Sequence, residues 1–125
     1  MSRLQQEISN AMLQLTLLDK NNARAWFLFP REFVGFQGHF VERPVLPGIC
    51  KLHAAQLVVE AAQRKSFRLK EVSMAKFIAP VTCDEEIVVD CRWKNNSDGS
   101  LDVKASINRE EAKIAALQLV LGNAD

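Results

Sequence analysis

The stretch PGICKLHAAQLVVEAAQR, residues 47–64, decides the fold of this chain. Its residues favour a helix from end to end, and its proline falls in the first turn, where the missing N–H costs no hydrogen bond. Apolar side chains between Ile49 and Ala62 cover nearly the whole circumference, whereas a surface helix carries them on one stripe. The pattern therefore predicts a helix that is buried on most sides by the rest of the chain.

Strand patterns lie on both sides of this helix. Before it, residues 1–10 favour a short helix, and residues 11–18 and 23–29 flank the turn signal DKNN, which predicts a hairpin. After it come LKEVSMAKFIAPV and then EEIVVDCRWKN, LDVKASI and AKIAALQLVLG, which predict three sequential antiparallel strands with an Asp-Gly turn after the first. We therefore predict an α+β fold in which a curved antiparallel sheet wraps around one long central helix.

Length and composition restrict the function. The 125 residues suffice for one domain with a buried core and not for two, so we expect a single domain over residues 1–125. A net charge of +1 provides no basic field for nucleic acid, which we do not expect as a partner. No apolar run reaches the roughly 18 residues of a membrane span, and the N-terminus lacks the apolar core of a signal peptide. We expect no membrane association and a cytoplasmic location.

The sequence contains few residues that could form a metal or redox site. Cys50, Cys83 and Cys91 lie in apolar segments without metal-ligand spacing, so we expect reduced core residues. His39 and His53 are the only histidines, and neither CxxC nor HExxH occurs. We therefore expect no metal, and the lack of a dinucleotide or phosphate loop argues against a redox cofactor.

Several motifs, in order along the chain, resemble one branch of the hot-dog fold. FQGHF precedes the long helix, RPVLPG opens it, VSMAKFIAPV forms the next strand, and long strands close the chain. Over residues 18–122 this series resembles the beta-hydroxyacyl-acyl carrier protein dehydratases. The resemblance implies a dimer that removes water from (3R)-hydroxyacyl thioesters to give trans-2-enoyl thioesters, in fatty acid or related lipid or polyene synthesis.

The resemblance assigns His39, in the GHF segment, as the catalytic base. Removing a proton from the carbon beside a thioester carbonyl needs a base that titrates near the working pH, and a neutral imidazole can take that proton. The charge that develops on the thioester oxygen needs a prepared donor, which the resemblance assigns to the backbone N–H of Gly48 at the helix start. A plain helix start is the alternative interpretation of Pro47 and Gly48.

Position 53 departs from the family. Fourteen residues after the histidine the family carries an acidic residue that protonates the leaving hydroxyl, and this chain carries His53. A protonated His53 could replace the acid as the third catalytic residue, or an acid-bearing homologue could complete the site in a heterodimer, since the family takes its two catalytic side chains from opposite subunits. A hydrogen-bonded core histidine is the third interpretation. Glu60 is roughly 10 Å further along the helix, and we expect it to be a solvated or paired charge.

The other predicted site residues would bind the substrate and its carrier. The acyl chain needs apolar walls, and the phosphopantetheine of acyl carrier protein, or coenzyme A, would carry it without a further cofactor. An acidic carrier protein would be attracted to the basic residues after the helix, although a solvated loop explains them equally well. The predicted acyl contacts are Phe40, Pro47, Ile49, Leu57 and Phe77, and the predicted carrier contacts are Arg64, Lys65, Arg68 and Lys70.

The sequence leaves several functions and assemblies open. A homodimeric dehydratase is the main hypothesis. The alternatives are a non-catalytic or heteromeric subunit that binds acyl chains or carrier protein, and an acyl thioesterase. A higher oligomer is an alternative to the homodimer, because a sheet with open edges pairs readily with other copies.

Overall fold

The computed structural model describes residues 2–36 and 44–124. In chain order its elements are helix α1 (Arg3–Asn10), strands β1 (Met12–Asp19) and β2 (Asn22–Leu28), a 3-10 turn (Val34–Phe36), helix α2 (Gly48–Gln63), and strands β3 (Phe67–Phe77), β4 (Glu86–Asn95), β5 (Leu101–Arg109) and β6 (Ala112–Asn123). The hairpin, the long helix and the three closing strands that the sequence predicts are confirmed.

The strands form one sheet around α2. Six strands pair antiparallel in the order β1-β2-β4-β5-β6-β3, so β1 and β3 lie at the two edges. The alternation of apolar and polar residues in the sequence decides which face of each strand turns toward the helix, because successive side chains point to opposite faces. Fully buried members of this inner face include Ala23, Val89, Ile107 and Ala115. The predicted α+β architecture, a sheet wrapped around one long helix, is confirmed.

Helix α2 ends in a turn that ties it to the first residue of β3. Arg64 adopts the left-handed conformation, with φ of 53°, and its N–H donates to the Glu60 carbonyl. The Phe67 N–H donates to the Glu60 carboxylate at 2.7 Å, and the Gln56 side chain donates to the Phe67 carbonyl at 3.0 Å. Two helix side chains thus satisfy both backbone groups of one strand residue, which fixes where the edge strand starts.

The burial of α2 is extensive but uneven. Its middle residues, from Ala54 to Val59, are buried, as the apolar circumference predicts. Ile49, however, is 49% exposed, and Val72 and Phe77 on β3 are also exposed. The reason is that β3 is an edge strand, so no described strand continues the sheet beyond it on this side of the helix.

Candidate functional site

The site begins where the backbone enters α2. Pro47 is the N-cap residue, and no side chain of the described residues caps the first turn of the helix. The Cys50 N–H donates to the Pro47 carbonyl at 3.1 Å, whereas the N–H groups nearer the helix start have no acceptor within a helix and lie at the positive end of its dipole. The start of α2 therefore offers donors to an electronegative atom, as the prediction for Gly48 requires.

The ring of Phe77 lies directly over Gly48. A Cβ atom on residue 48 would sit 2.8 Å from the Phe77 Cζ atom, closer than carbon atoms can approach without displacement. Phe77 is the last residue of β3, so the fold brings it to Gly48 from the far side of the sheet edge. Any larger residue here would therefore have to displace the Phe77 ring, whatever chemistry its N–H performs.

Apolar side chains surround this point and remain open to solvent. Val45, Ile49, Phe77 and Ile78 are each between 40% and 50% exposed, although they are large hydrophobic residues. Three of the predicted acyl contacts, Pro47, Ile49 and Phe77, thus lie together at the start of α2. A surface of this kind suits an acyl chain or an apolar face of another subunit.

Residues 37–43, which include the predicted base His39 and the predicted acyl contact Phe40, lie outside the described residues, so both assignments stay predictions. The chain on either side is held in the core. Before this segment, the Phe36 N–H donates to the Phe33 carbonyl at 3.0 Å and the two rings pack edge to face. After it, the Leu46 N–H donates to the Val81 carbonyl at 2.7 Å.

His53 lies two turns into α2 and is half buried. It lines a cleft of about 180 Å³ beside Gln5 of α1 and the start of β3. No hydrogen bond to its ring comes from the residues that the structure describes. Glu60, the alternative carboxylate, lines the same cleft, but its carboxylate already accepts the Phe67 N–H.

Leu57 and the basic residues lie away from the helix start. Leu57 is about 14 Å along the helix axis from Gly48 and lines a second groove of about 350 Å³ with Arg64 and Lys65. The Lys65 ammonium donates to the Asn123 side chain at 2.8 Å. The other two predicted carrier contacts, Arg68 and Lys70, lie on β3 against Gly122. The structure thus gathers the basic residues at the C-terminal end of α2 and separates Leu57 from Pro47, Ile49 and Phe77.

The sequence analysis did not single out Lys51, which lies one turn after Gly48. Lys51 is only 4% exposed, and its ammonium lies over the Phe77 ring, 5.4 Å from the ring centroid. Burial lowers the pKa of Lys51, because leaving water disfavours the charged form. One signal could have revealed it: apart from His53, it is the only titratable side chain on the helix between Cys50 and Glu60.

Other chemistry is poorly supported in the part of the chain that the structure describes. No group of three or more His, Cys, Asp or Glu side chains there could hold a metal ion. Burial raises the pKa of the Cys50 thiol to about 11, and it also raises the pKa of Cys91, so neither is a ready nucleophile. No helix in residues 2–36 and 44–124 is long and apolar enough to cross a membrane.

Comparison with known proteins gives one family and several structures of the same fold. The model of the ApeI-like family, described as ApeI dehydratase, matches residues 15–117. Among solved structures, the dehydratase heterocomplex ApeI:P from Xenorhabdus doucetiae is similar with a TM-score of 0.77 at 13% identity, covering 90% of this chain and 96% of that one. No curated protein sequence matches.

Two further structures share the fold at low sequence identity. The HP0420 homologue from Helicobacter felis has a TM-score of 0.70 at 17% identity, covering 93% of this chain and 91% of that one. The PaaI protein from the phenylacetic acid degradation operon of E. coli has a TM-score of 0.71 at 10% identity, covering 95% and 89%. These likenesses confirm the hot-dog fold that the sequence motifs imply.

Proposed function

Because the chain belongs to the ApeI-like dehydratase family, we propose that it removes water from 3-hydroxyacyl thioesters to give trans-2-enoyl thioesters. The observation that carries the proposal is the start of α2, where an uncapped helix end and a glycine lie among exposed apolar side chains. A thioester carbonyl can approach the Gly48 N–H while its acyl chain contacts Ile49 and Phe77. The thioester would be that of acyl carrier protein or coenzyme A, in fatty acid or related lipid synthesis in the cytoplasm.

The proposed mechanism moves two protons. His39 takes the proton from carbon 2, next to the thioester carbonyl; the electron pair of that C–H bond forms a double bond between carbons 1 and 2, and the π pair of the carbonyl moves onto its oxygen. The Gly48 N–H donates to this oxygen while the charge develops. The electron pair then returns to form the C=C bond, the C–O bond at carbon 3 breaks, and the leaving hydroxyl takes a proton from protonated His53 and departs as water.

A dimer would complete this site. In the family that the motifs resemble, the base and the acid come from opposite subunits, and β3 presents an unpaired edge next to exposed Val72 and Phe77. Pairing of β3 with its copy would cover these residues and bring a second α2 alongside the first. In the family that the motifs resemble, such an arrangement brings the acid position of one subunit to the catalytic base of the other.

The first test is the reverse reaction, hydration of a short trans-2-enoyl pantetheine thioester by the purified chain, followed by loss of enoyl absorbance. We expect turnover in the wild type and a loss of about a hundredfold or more in His39→Ala, because a general base contributes at least that much. Thermal unfolding of the variant provides the control for folding. A well-folded wild type without turnover, or turnover that survives His39→Ala, would contradict the proposed enzyme.

The histidine at the acid position supports a second candidate, a subunit that needs an acid-bearing partner. The similar ApeI:P structure is a heterocomplex of dehydratase chains, which makes such an assembly reasonable here. The variant His53→Glu separates the two candidates. If the chain is deficient in the acid, the wild type is inactive alone and His53→Glu gains turnover; if the histidine pair is competent, the wild type is active and His53→Glu is no faster.

A further inference from the structure

Lys51 is a buried cation inside an apolar helix. The residue is 4% exposed, whereas lysine is almost never buried to this extent without a partner. Among residues 2–36 and 44–124, no carboxylate lies within 4.0 Å of its ammonium, and no described acceptor hydrogen-bonds it. Its contact in the described part of the chain is the Phe77 ring, at 5.4 Å from the centroid. A buried charge for which the described residues supply no counter-charge is costly, so this lysine needs an explanation.

The ammonium is directed toward the start of α2. Side chains on a helix lean toward its N-terminus, so a lysine at position 51 extends back over the turn that contains Gly48. Phe77 confirms this direction, because the same ring that packs against Gly48 also lies under the Lys51 ammonium. The Gly48 backbone and the Lys51 ammonium thus contact the same ring at the end of β3.

The region around the Phe77 ring combines two positive features. The first turn of α2 is the positive end of the helix dipole, where cations are disfavoured and anions are stabilised. No side chain of the described residues caps that turn, and the Gly48 N–H has no acceptor within the helix. The Lys51 ammonium, which shares the Phe77 ring with Gly48, adds to the positive potential of this region and so favours a bound oxygen with negative charge.

We propose that the Lys51 ammonium and the Gly48 N–H together bind the carbonyl oxygen of the acyl thioester and stabilise it as the enolate oxyanion. The inference rests on the proposed function and adds a charged donor to a site whose backbone donor is Gly48. The Phe77 ring holds the ammonium in place through its negative face. The charge of Lys51 would offset the negative charge that develops on the enolate oxygen.

The test uses acetoacetyl-pantetheine, a thioester whose enolate absorbs in the near ultraviolet and which needs no turnover to report on the oxyanion. At a fixed pH we expect wild-type protein to increase the enolate absorbance of the bound probe. In Lys51→Met the enolate fraction should fall about tenfold or more, the size expected when a charged hydrogen bond is lost. Lys76→Met is the matched control, because Lys76 is the exposed neighbour of Phe77 on the opposite face of β3.

The outcomes separate this inference from the proposed function. An enolate signal that is present in the wild type, lost in Lys51→Met and retained in Lys76→Met supports the inference, even if the chain hydrates no enoyl thioester. A signal that persists in Lys51→Met, or that never appears in the wild type, overturns it. If the wild type hydrates enoyl thioesters but shows no enolate signal, the dehydratase proposal is retained and Lys51 has no role in the proposed mechanism.

A measurement on the wild type keeps the inference testable if Lys51→Met fails to fold. With ¹⁵N-labelled lysine, the Nζ signal missing from the spectrum of Lys51→Arg identifies Lys51. We expect this signal to shift when acetoacetyl-pantetheine is added, because the oxyanion becomes its acceptor. A Lys51 signal that does not move while the probe binds would overturn the inference.

Discussion

Steric contact between Gly48 and Phe77 governs the start of α2. In an open helix, Gly→Ala stabilises by up to about 1 kcal/mol, because alanine loses less entropy on folding. Here the new Cβ would lie 2.8 Å from the Phe77 Cζ atom, so the ring must move. We therefore expect Gly48→Ala to destabilise the protein by about 1–3 kcal/mol in urea unfolding, the usual cost of overpacking.

The Phe77→Leu background is the control for this prediction. Leucine removes the ring atoms that the Cβ would strike, so Gly48→Ala should cost less there or become stabilising. An equal cost in both backgrounds would mean that the contact is not the cause. The sign of the change in the free energy of unfolding on Gly48→Ala distinguishes a glycine that packing favours from one that only starts a helix.

At the scale of elements, Glu7 joins α1 to the turn that precedes the 37–43 segment. Its carboxylate accepts the Val34 N–H at 2.8 Å and pairs with Arg3 at 3.0 Å. The Val34 hydrogen bond holds the pKa of Glu7 below its ordinary value of 4.5, because it favours the charged form. A carboxyl with a lowered pKa contributes stability above that ordinary value and loses it as the pH falls through the lowered value.

We expect Glu7→Gln to lower the melting temperature at neutral pH, since a neutral amide accepts the Val34 N–H less strongly than a carboxylate. The difference from the wild type should shrink as the pH falls below 4.5, when the wild-type carboxylate takes up its proton. Thermal unfolding at several pH values measures this. The variant Arg3→Gln is the control, because Arg3 is 71% exposed and its ion pair should matter little. If the difference in melting temperature between the wild type and Glu7→Gln did not change with pH, the Glu7 carboxylate would not be the cause of the stabilisation.

At the scale of the whole molecule, the two sheet edges differ in what lies beside them. Along β3, Val72 and Phe77 are exposed and Phe77 packs on Gly48 at the start of α2, whereas β1 carries exposed Leu13 and Leu17 at the opposite edge. The proposed site needs a second subunit at β3. We therefore expect the chain to sediment at twice the 14.1 kDa protomer mass, with β3 in the interface.

The variant Val72→Glu tests this interface. A charge buried between two β3 strands would lack a partner, so we expect dissociation to monomers in analytical ultracentrifugation. Leu13→Glu is the matched control at the other edge, where it should leave the dimer intact. Dissociation by Leu13→Glu and not by Val72→Glu would place the interface on β1 and would argue against a site shared across β3.

Much of the fold is determined by patterns that are local in sequence. The apolar circumference of residues 47–64 requires a surrounding sheet, and the alternation in residues 86–95 and 101–107 fixes which strand faces turn inward. The Asp-Gly turn between those strands is formed as predicted, with Gly99 at φ of 88°. These features follow from neighbours along the chain, so the sequence alone determines them, together with the family motifs that point to His39, Gly48 and position 53.

The tertiary structure decides what depends on residues far apart in the chain. Whether β3 pairs with β6 at an edge, and therefore leaves Val72 exposed, is set by the packing of the whole sheet. The contact of Phe77 with Gly48 and the burial of Lys51 follow from that placement, because a lysine in a helical pattern gives no indication of which ring will cover it. The sequence by itself determined the helix, the strands and the family. Only the tertiary structure decided which side chains surround the helix start, because burial depends on neighbours in three dimensions.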